Sequence, residues 1–150
     1  MAVVPQITID CIEPARLVPF WCTALGYIVE PPPGGHDSWN EYWRSIGIPE
    51  HELPPDDDDV HDSIVDPDGV GPRIWFQAVP EPKVVKNRLH LDLKIADRTQ
   101  PKVDRQPKVD GKAAELVAAG ATLLRQLQFE DSEYYGVVMQ DPEGNEFCVS

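Results

Sequence analysis

Asp66-Pro67-Asp68-Gly69 stands shortly before the apolar run Ile74-Trp75-Phe76, and Asp141-Pro142-Glu143-Gly144 stands shortly before Phe147-Cys148-Val149. An Asp-Pro-acidic-Gly tetrapeptide is turn chemistry. Proline presets φ, aspartate caps nearby backbone amides, and glycine supplies the positive φ from which the next strand starts. The same turn used twice, each time ahead of a closing strand, constrains the chain to a duplicated module.

The rest of each half repeats in the same order. The first reads as a strand from Val3 to Cys11, a helix opening near Glu13-Pro14 and stopping at Leu25-Gly26, a strand from Tyr27 to Glu30, then the turn and a strand from Ile74 to Val79. The second reads as a strand from Arg88 to Ile95, a helix ending at Ala119-Gly120, strands from Ala121 to Leu127 and from Tyr135 to Gln140, then the turn and Glu146 to Val149. Proline near a helix start with glycine just past its end is the expected asymmetry. With 150 residues, 41% of them hydrophobic, the two modules must share one core. The expected fold is α+β, one domain over 1–150, with module one at about 1–82, an insert at about 34–63, and module two at about 86–150.

Charge removes several classes of partner. Twenty-six acidic against 13 basic residues leave a net charge of −13, a field that repels phosphate backbones and anionic lipid, so neither nucleic acid nor membrane is expected as a partner. No apolar stretch approaches the roughly 20 residues of a membrane helix. Cys11, Cys22 and Cys148 are an odd number at no zinc-ribbon spacing, and the start carries neither a basic nor an apolar leader region. A reduced, cytoplasmic protein is the expectation. The 16 prolines cluster at 31–33, 49–55, 80–82 and 101–107, which read as loops.

Alternation along a strand sends successive side chains to opposite faces. Ile7, Ile9 and Cys11 then share one face, with Gln6, Thr8 and Asp10 on the other; Leu89, Leu91 and Leu93 face the core, with His90, Asp92 and Lys94 opposite. Aligning Phe76-Gln77 with Phe147-Cys148 makes Gln77 and Cys148 duplicated partners. Leu17, Trp21 and Leu25, and Ala113 and Val117 beside Leu116, supply the helix stripes that cover the apolar faces. Pro19 should kink the first helix or delay its regular part.

Forty positions separate Gly26 from Asp66 and 21 separate Gly120 from Asp141, so module one carries about 19 extra residues on the duplication argument. Within them Trp39, Tyr42, Trp43 and Ile46 recur at helical spacing, behind Asp37 or Ser38 as a cap. They suit either a lid over a ligand or a cap over the core. Asp56 to Asp59 reads as a solvated acidic run without calcium-loop order, and His36, His51 and His61 beside it are candidates for adventitious metal. Gln100-Pro101-Lys102-Val103-Asp104 recurs as Gln106-Pro107-Lys108-Val109-Asp110; the second copy is expected to lead into the helix, capped by Asp110 or Asp104, and the first to be linker.

Phe20-Trp21 through Ala24-Leu25-Gly26-Tyr27, the two turns, and the closing Asp141-Pro142-Glu143-Gly144-Asn145-Glu146-Phe147 together resemble the vicinal oxygen chelate superfamily of glyoxalase I, extradiol dioxygenases, and bleomycin and fosfomycin resistance proteins. The segment from Phe76 to Lys83, followed by Lys86 to Leu93, is similar to a glyoxalase-like branch of actinobacterial type. The resemblance covers nearly the whole chain. It implies two paired βαβββ modules forming an open, curled mixed sheet around a small-molecule cleft. It also implies a metal position shared by Gln6, Gln77, His90 and Cys148, although Gln77 and Cys148 stand where the family usually has glutamates. A thiolate there favours zinc, nickel or iron over hard ions.

The resulting expectation is a glyoxalase-like protein that binds a small organic molecule without an intact family metal site. Its ligand contacts are expected at Thr8, Asp10, Trp39, Trp43, Trp75, His90, Asp92 and Lys94. The alternative is a divalent-metal-dependent lyase, isomerase or dioxygenase, with Asp10 or Asp92 as base; glyoxalase I activity itself is not expected. Asp92 has a simpler role open to it, an edge pair with Lys94 or Arg88. Paired modules can associate within one chain or between two, so a homodimer is also open.

Overall fold

The computed structural model describes residues 2–55 and 62–150. The acidic run Asp56 to Asp59 and His61 lie outside the described residues. Strands β1 (Ile7–Cys11), β2 (Ile28–Val29), β3 (Ser63–Val65) and β4 (Ile74–Ala78) form one sheet in the order β1-β4-β3-β2. Strands β5 (Asp92–Leu93), β6 (Thr122–Gln128), β7 (Tyr135–Gln140) and β8 (Glu146–Val149) form a second in the order β5-β8-β7-β6. Each sheet pairs its first and last strands in parallel and the rest antiparallel. The duplication is thus present in the hydrogen bonding, as two mixed sheets of identical topology and an α+β fold that is no closed barrel.

Helix α1 (Pro14–Leu25) covers the first sheet and α3 (Lys102–Ala118) the second. Proline opens α1, and Gly26 closes it in the left-handed region at φ 71°, its amide returning to the Cys22 carbonyl. The helix runs on through Pro19, whose carbonyl accepts a hydrogen bond from Thr23 Oγ1. Both turn glycines hold the positive φ their motif demands, 68° at Gly69 and 88° at Gly144.

Phe20 and Trp21 from α1 pack edge-on against each other and against Phe147 of β8, with ring centroids 5.3–5.8 Å apart. This aromatic trio joins the modules into one core, together with Leu17, Ile64, Ile74, Phe76, Val109, Leu116, Val137 and Val149. The second turn strengthens the joint. Glu143 accepts from the amides of Ile12 and Glu13 at 2.8 and 2.7 Å, capping α1 from the other module, and Asp141 accepts from Trp21 Nε1 at 3.2 Å.

Several expectations need correction. Residues 3–6 pair with nothing in the sheet: Val3 and Val4 stand 90% and 86% exposed, because the first ladder begins at Ile7. The expected strand from Arg88 to Ile95 shrinks to β5, and Leu89, assigned to the core, is 89% exposed. Residues 80–91 instead run as an irregular strap whose bonds go to side chains as well as to β8. Module one has a third strand, β3, which its three residues did not announce.

Helix α3 starts at Lys102, inside the first copy of the repeated pentapeptide, behind Pro101 rather than an aspartate cap. Six residues advance a helix by well over one turn, so the copies face differently: Val103 is exposed and Val109 buried. Val117 is likewise turned outward, and the buried stripe runs through Val109, Ala113 and Leu116.

The insert forms helix α2 (Trp39–Ser45), capped by Ser38, whose hydroxyl accepts from the Glu41 amide at 3.1 Å. Trp39 packs against Trp43 and Tyr42 and donates its indole N–H to the Glu30 carbonyl. That bond ties the insert to the end of β2. No helix of the described residues is long and apolar enough to cross a membrane.

Candidate functional site

Among the described residues β1 is an edge strand paired only with β4, and residues of β1 and of the strap face one another across a shared cavity. Between them lies a cleft of about 690 Å³. Its apolar part comes from Ile7, Ile9, Trp21 and Leu91, and its polar groups include Thr8, Asp10 and His90. A mostly apolar concavity with a few convergent polar groups is the usual build of a small-molecule site.

The strap is held by Glu146, the residue just after the second turn. Its carboxylate accepts from the Asn87 amide at 3.0 Å and pairs with Lys83 Nζ at 3.0 Å, both side chains being largely buried. The Asn87 amide bond, with help from Lys83, holds the Glu146 carboxyl down at about 2. The expected site set contained none of these latch residues. Their only trace in the sequence was the proline cluster at 80–82, which marked a loop without saying what it crosses.

On β5 and β8 the structure brings together three of the expected residues. Asp92 lies opposite Cys148 in the parallel register, and His90, two residues earlier, donates or accepts through Nδ1 at 2.9 Å from Asp92 Oδ1. Candidate ligand atoms of His90, Asp92 and Cys148 all lie within 4.8 Å of one another. Asp92 therefore pairs with His90, not with Lys94 or Arg88. Burial pushes the Cys148 thiol up, and the charge and hydrogen bond of Asp92 push it further, against the opposing pull of Lys86 and Arg125. A thiol kept protonated is a poor nucleophile, so direct attack by Cys148 is not the chemistry this environment favours.

The remaining expected residues lie elsewhere. Aligning buried Phe76 with buried Phe147 matches the register pair Asp10–Gln77 to Asp92–Cys148. Thr8, not Gln6, is then the counterpart of His90. Gln6 Oε1, the atom that would reach a metal, accepts from Arg73 Nη1 at 2.7 Å. Gln77 sits on β4 opposite Asp10. Trp75, beside Thr8, donates to Asp62 at 2.7 Å, and neither it nor Trp39 or Trp43 lines the cleft.

Residues 6–150 match the family described as glyoxalase-like domain. The chain belongs to that family. Solved structures with the same fold include a glyoxalase/bleomycin resistance protein/dioxygenase family enzyme from Burkholderia phytofirmans PsJN, 16% identical with a TM-score of 0.58, covering 99% of this chain and 97% of that one. The fosfomycin resistance protein FosX from Mesorhizobium loti is 9% identical with a TM-score of 0.58, covering 99% and 91%. The E126Q mutant of FosX from Listeria monocytogenes, complexed with Mn(II) and 1S,2S-dihydroxypropylphosphonic acid, is 10% identical with a TM-score of 0.57, covering 99% and 89%. No protein of curated function matches significantly.

The ligand chemistry on this glyoxalase-like chain can be tested against a divalent ion. One thiol, one imidazole and one carboxylate suit a cation of intermediate softness and poorly suit calcium or magnesium, which take oxygen. The neutral carboxamides of Gln6 and Gln77 add little to either.

Proposed function

We propose that this glyoxalase-like protein binds a small organic molecule in the cleft between β1 and the strap. The apolar body of the ligand rests on Ile7, Ile9, Trp21 and Leu91, and its polar end meets Thr8, Asp10 and His90. The observation that carries this reading is the cleft itself, about 690 Å³ with that division of lining. A fold relative from Listeria monocytogenes that holds a small organic acid supports it. Trp39, Trp43 and Trp75 take no part in this reading, being engaged within the insert and with Asp62.

A ligand screen by thermal shift tests the proposal, run on wild type and on Thr8→Trp, which adds bulk at an exposed cleft position. A compound that raises the melting temperature of wild type and not of the variant supports the cleft. Equal shifts in both proteins would place the ligand elsewhere and sink the assignment.

The second reading, a metal-dependent lyase, isomerase or dioxygenase, is favoured by the His90, Asp92 and Cys148 cluster. A divalent ion there would act as a Lewis acid on a substrate oxygen. In that case Asp10, which lines the cleft, is the better candidate base, since Asp92 is engaged by His90.

A further inference from the structure

We propose that the molecule bound in the cleft is an organic oxyanion, a carboxylate, phosphate or phosphonate, whose charged head is held by Lys86 and Arg88 of the strap. The inference rests on the cleft assignment above and adds to it the chemical class of the ligand. The hydrocarbon body lies on Ile7, Ile9, Trp21 and Leu91, and the head lies in a basic alcove beside them.

The alcove is a second cavity of about 540 Å³ that adjoins the cleft. It is lined by Val85, Lys86, Asn87, Arg88 and His90, all of which also line the larger cavity. Charge is divided unevenly between the two. Asp10, Glu81, Glu143 and Glu146 line the main cleft, whereas no carboxylate among the described residues lines the alcove. A chain with 26 acidic and 13 basic residues offers a cation many partners, and Arg73, Lys83 and Lys112 each meet a carboxylate. Among the described residues, Lys86 and Arg88 meet none, by ion pair or by side-chain hydrogen bond.

The latch accounts for this arrangement. Glu146 takes the amide of Asn87, the residue between the two cations, and pairs with Lys83, so the strap is pinned at its midpoint by a carboxylate that is already engaged. Lys86 lies close enough to Cys148 to oppose the rise of its thiol, which puts the ammonium beside the polar face shared by β5 and β8. Two neighbouring cations repel each other, and an anion shared between them relieves the repulsion. Arg88 offers a planar fork that matches the oxygens of an oxyanion, and Lys86 offers a point charge. The net charge of −13 does not defeat the contact, because at about 0.15 M salt charges beyond roughly 8 Å are largely screened while a contact pair is not.

The test uses probes with one body and different heads: phenylbutyrate, phenylbutanamide and phenylbutylamine, with inorganic phosphate as a head without a body. Each is titrated into the protein at about 0.15 M salt and followed by amide NMR shifts. Wild type should bind the acid at least about tenfold more tightly than the amide, the step expected of one charge-assisted hydrogen bond, and the amine most weakly. Acid and phosphate should both shift the amides of Lys86, Asn87 and Arg88. Lys86→Ala combined with Arg88→Ala, two exposed changes that leave the core intact, should bring the acid down to the level of the amide. Arg98→Ala combined with Lys102→Ala removes the same charge away from both cavities and should change nothing.

Equal affinity for acid and amide in wild type would overturn the oxyanion and leave the cleft standing. So would strap amides that neither phosphate nor acid moves. An acid preference that survives loss of both strap cations, or that falls as far when the two remote cations are removed, would overturn it equally. Failure of the cleft assignment looks different: Thr8→Trp would then bind acid and amide as wild type does, and the oxyanion proposal would fall with it.

Discussion

Asp66 and Asp141 open the same turn and do different work. Asp141 is 3% exposed and accepts from Trp21 Nε1 and from the amides of Glu143 and Asn145. Asp66 accepts from the amides of Asp68, Val70 and Gly71 at the surface, which hold its carboxyl below the ordinary carboxylate value. Asp141→Ala should therefore cost on the order of 3 kcal/mol, since it strands buried donors, and Asp66→Ala clearly less, both read from urea unfolding. Tyr135 offers a check at the alkaline end. Its burial, then its hydrogen bond to Asp110, push the phenol up to about 12, so the unfolded chain ionises first as pH rises past 10. The contribution of Tyr135 should be complete below pH 10 and be lost between there and about 12, and that part of the alkaline slope should be missing in Tyr135→Phe. Parity was enough to place His90 and Asp92 on one face and to mark Cys148 as a duplicated partner of Gln77. The bond between Gln6 and Arg73 was not legible, because the two are 67 residues apart in sequence and no local pattern announces it.

Helix α1 has no side-chain cap of its own, and Glu143 supplies one across the module joint. Glu143→Ala should destabilise the fold by about 1 kcal/mol, the usual value of a lost cap, with the urea slope unchanged. The strap depends on Glu146 in a comparable way. Glu146→Gln should speed hydrogen exchange at the Asn87 amide while leaving the β7 amides protected. Because the folded carboxyl titrates at about 2, its contribution is complete above the ordinary value of 4.5 and drains away only as pH falls from there toward 2. Helices and long strands were readable because their spacing is local. β3 is three residues long and β5 two, and strands that short are held by partners rather than by their own pattern. The alternating leucines of residues 89–93 satisfied a strand template, yet the Asn87 amide just before them bonds to the Glu146 carboxylate rather than to a neighbouring strand.

At the scale of the molecule, the net charge of −13 opposes compaction at every pH near neutrality. Salt should raise the melting temperature most between about 0.01 and 0.1 M, where the screening length shortens from roughly 30 to 10 Å; a flat response would mean that the paired charges already offset the field. The duplicated topology was visible in the two turns, whereas the joint between modules was not, because Phe20, Trp21 and Phe147 meet across more than 120 residues of chain. That joint also has a consequence for synthesis. Residues 1–82 leave the ribosome with the Trp21 indole and the Ile12 and Glu13 amides just ahead of α1 still waiting for acceptors that lie 120, 131 and 130 residues further along the chain. Helix α1 is thus completed by the turn of the second module, so removal of residues 141–150 would be felt at the start of the first module.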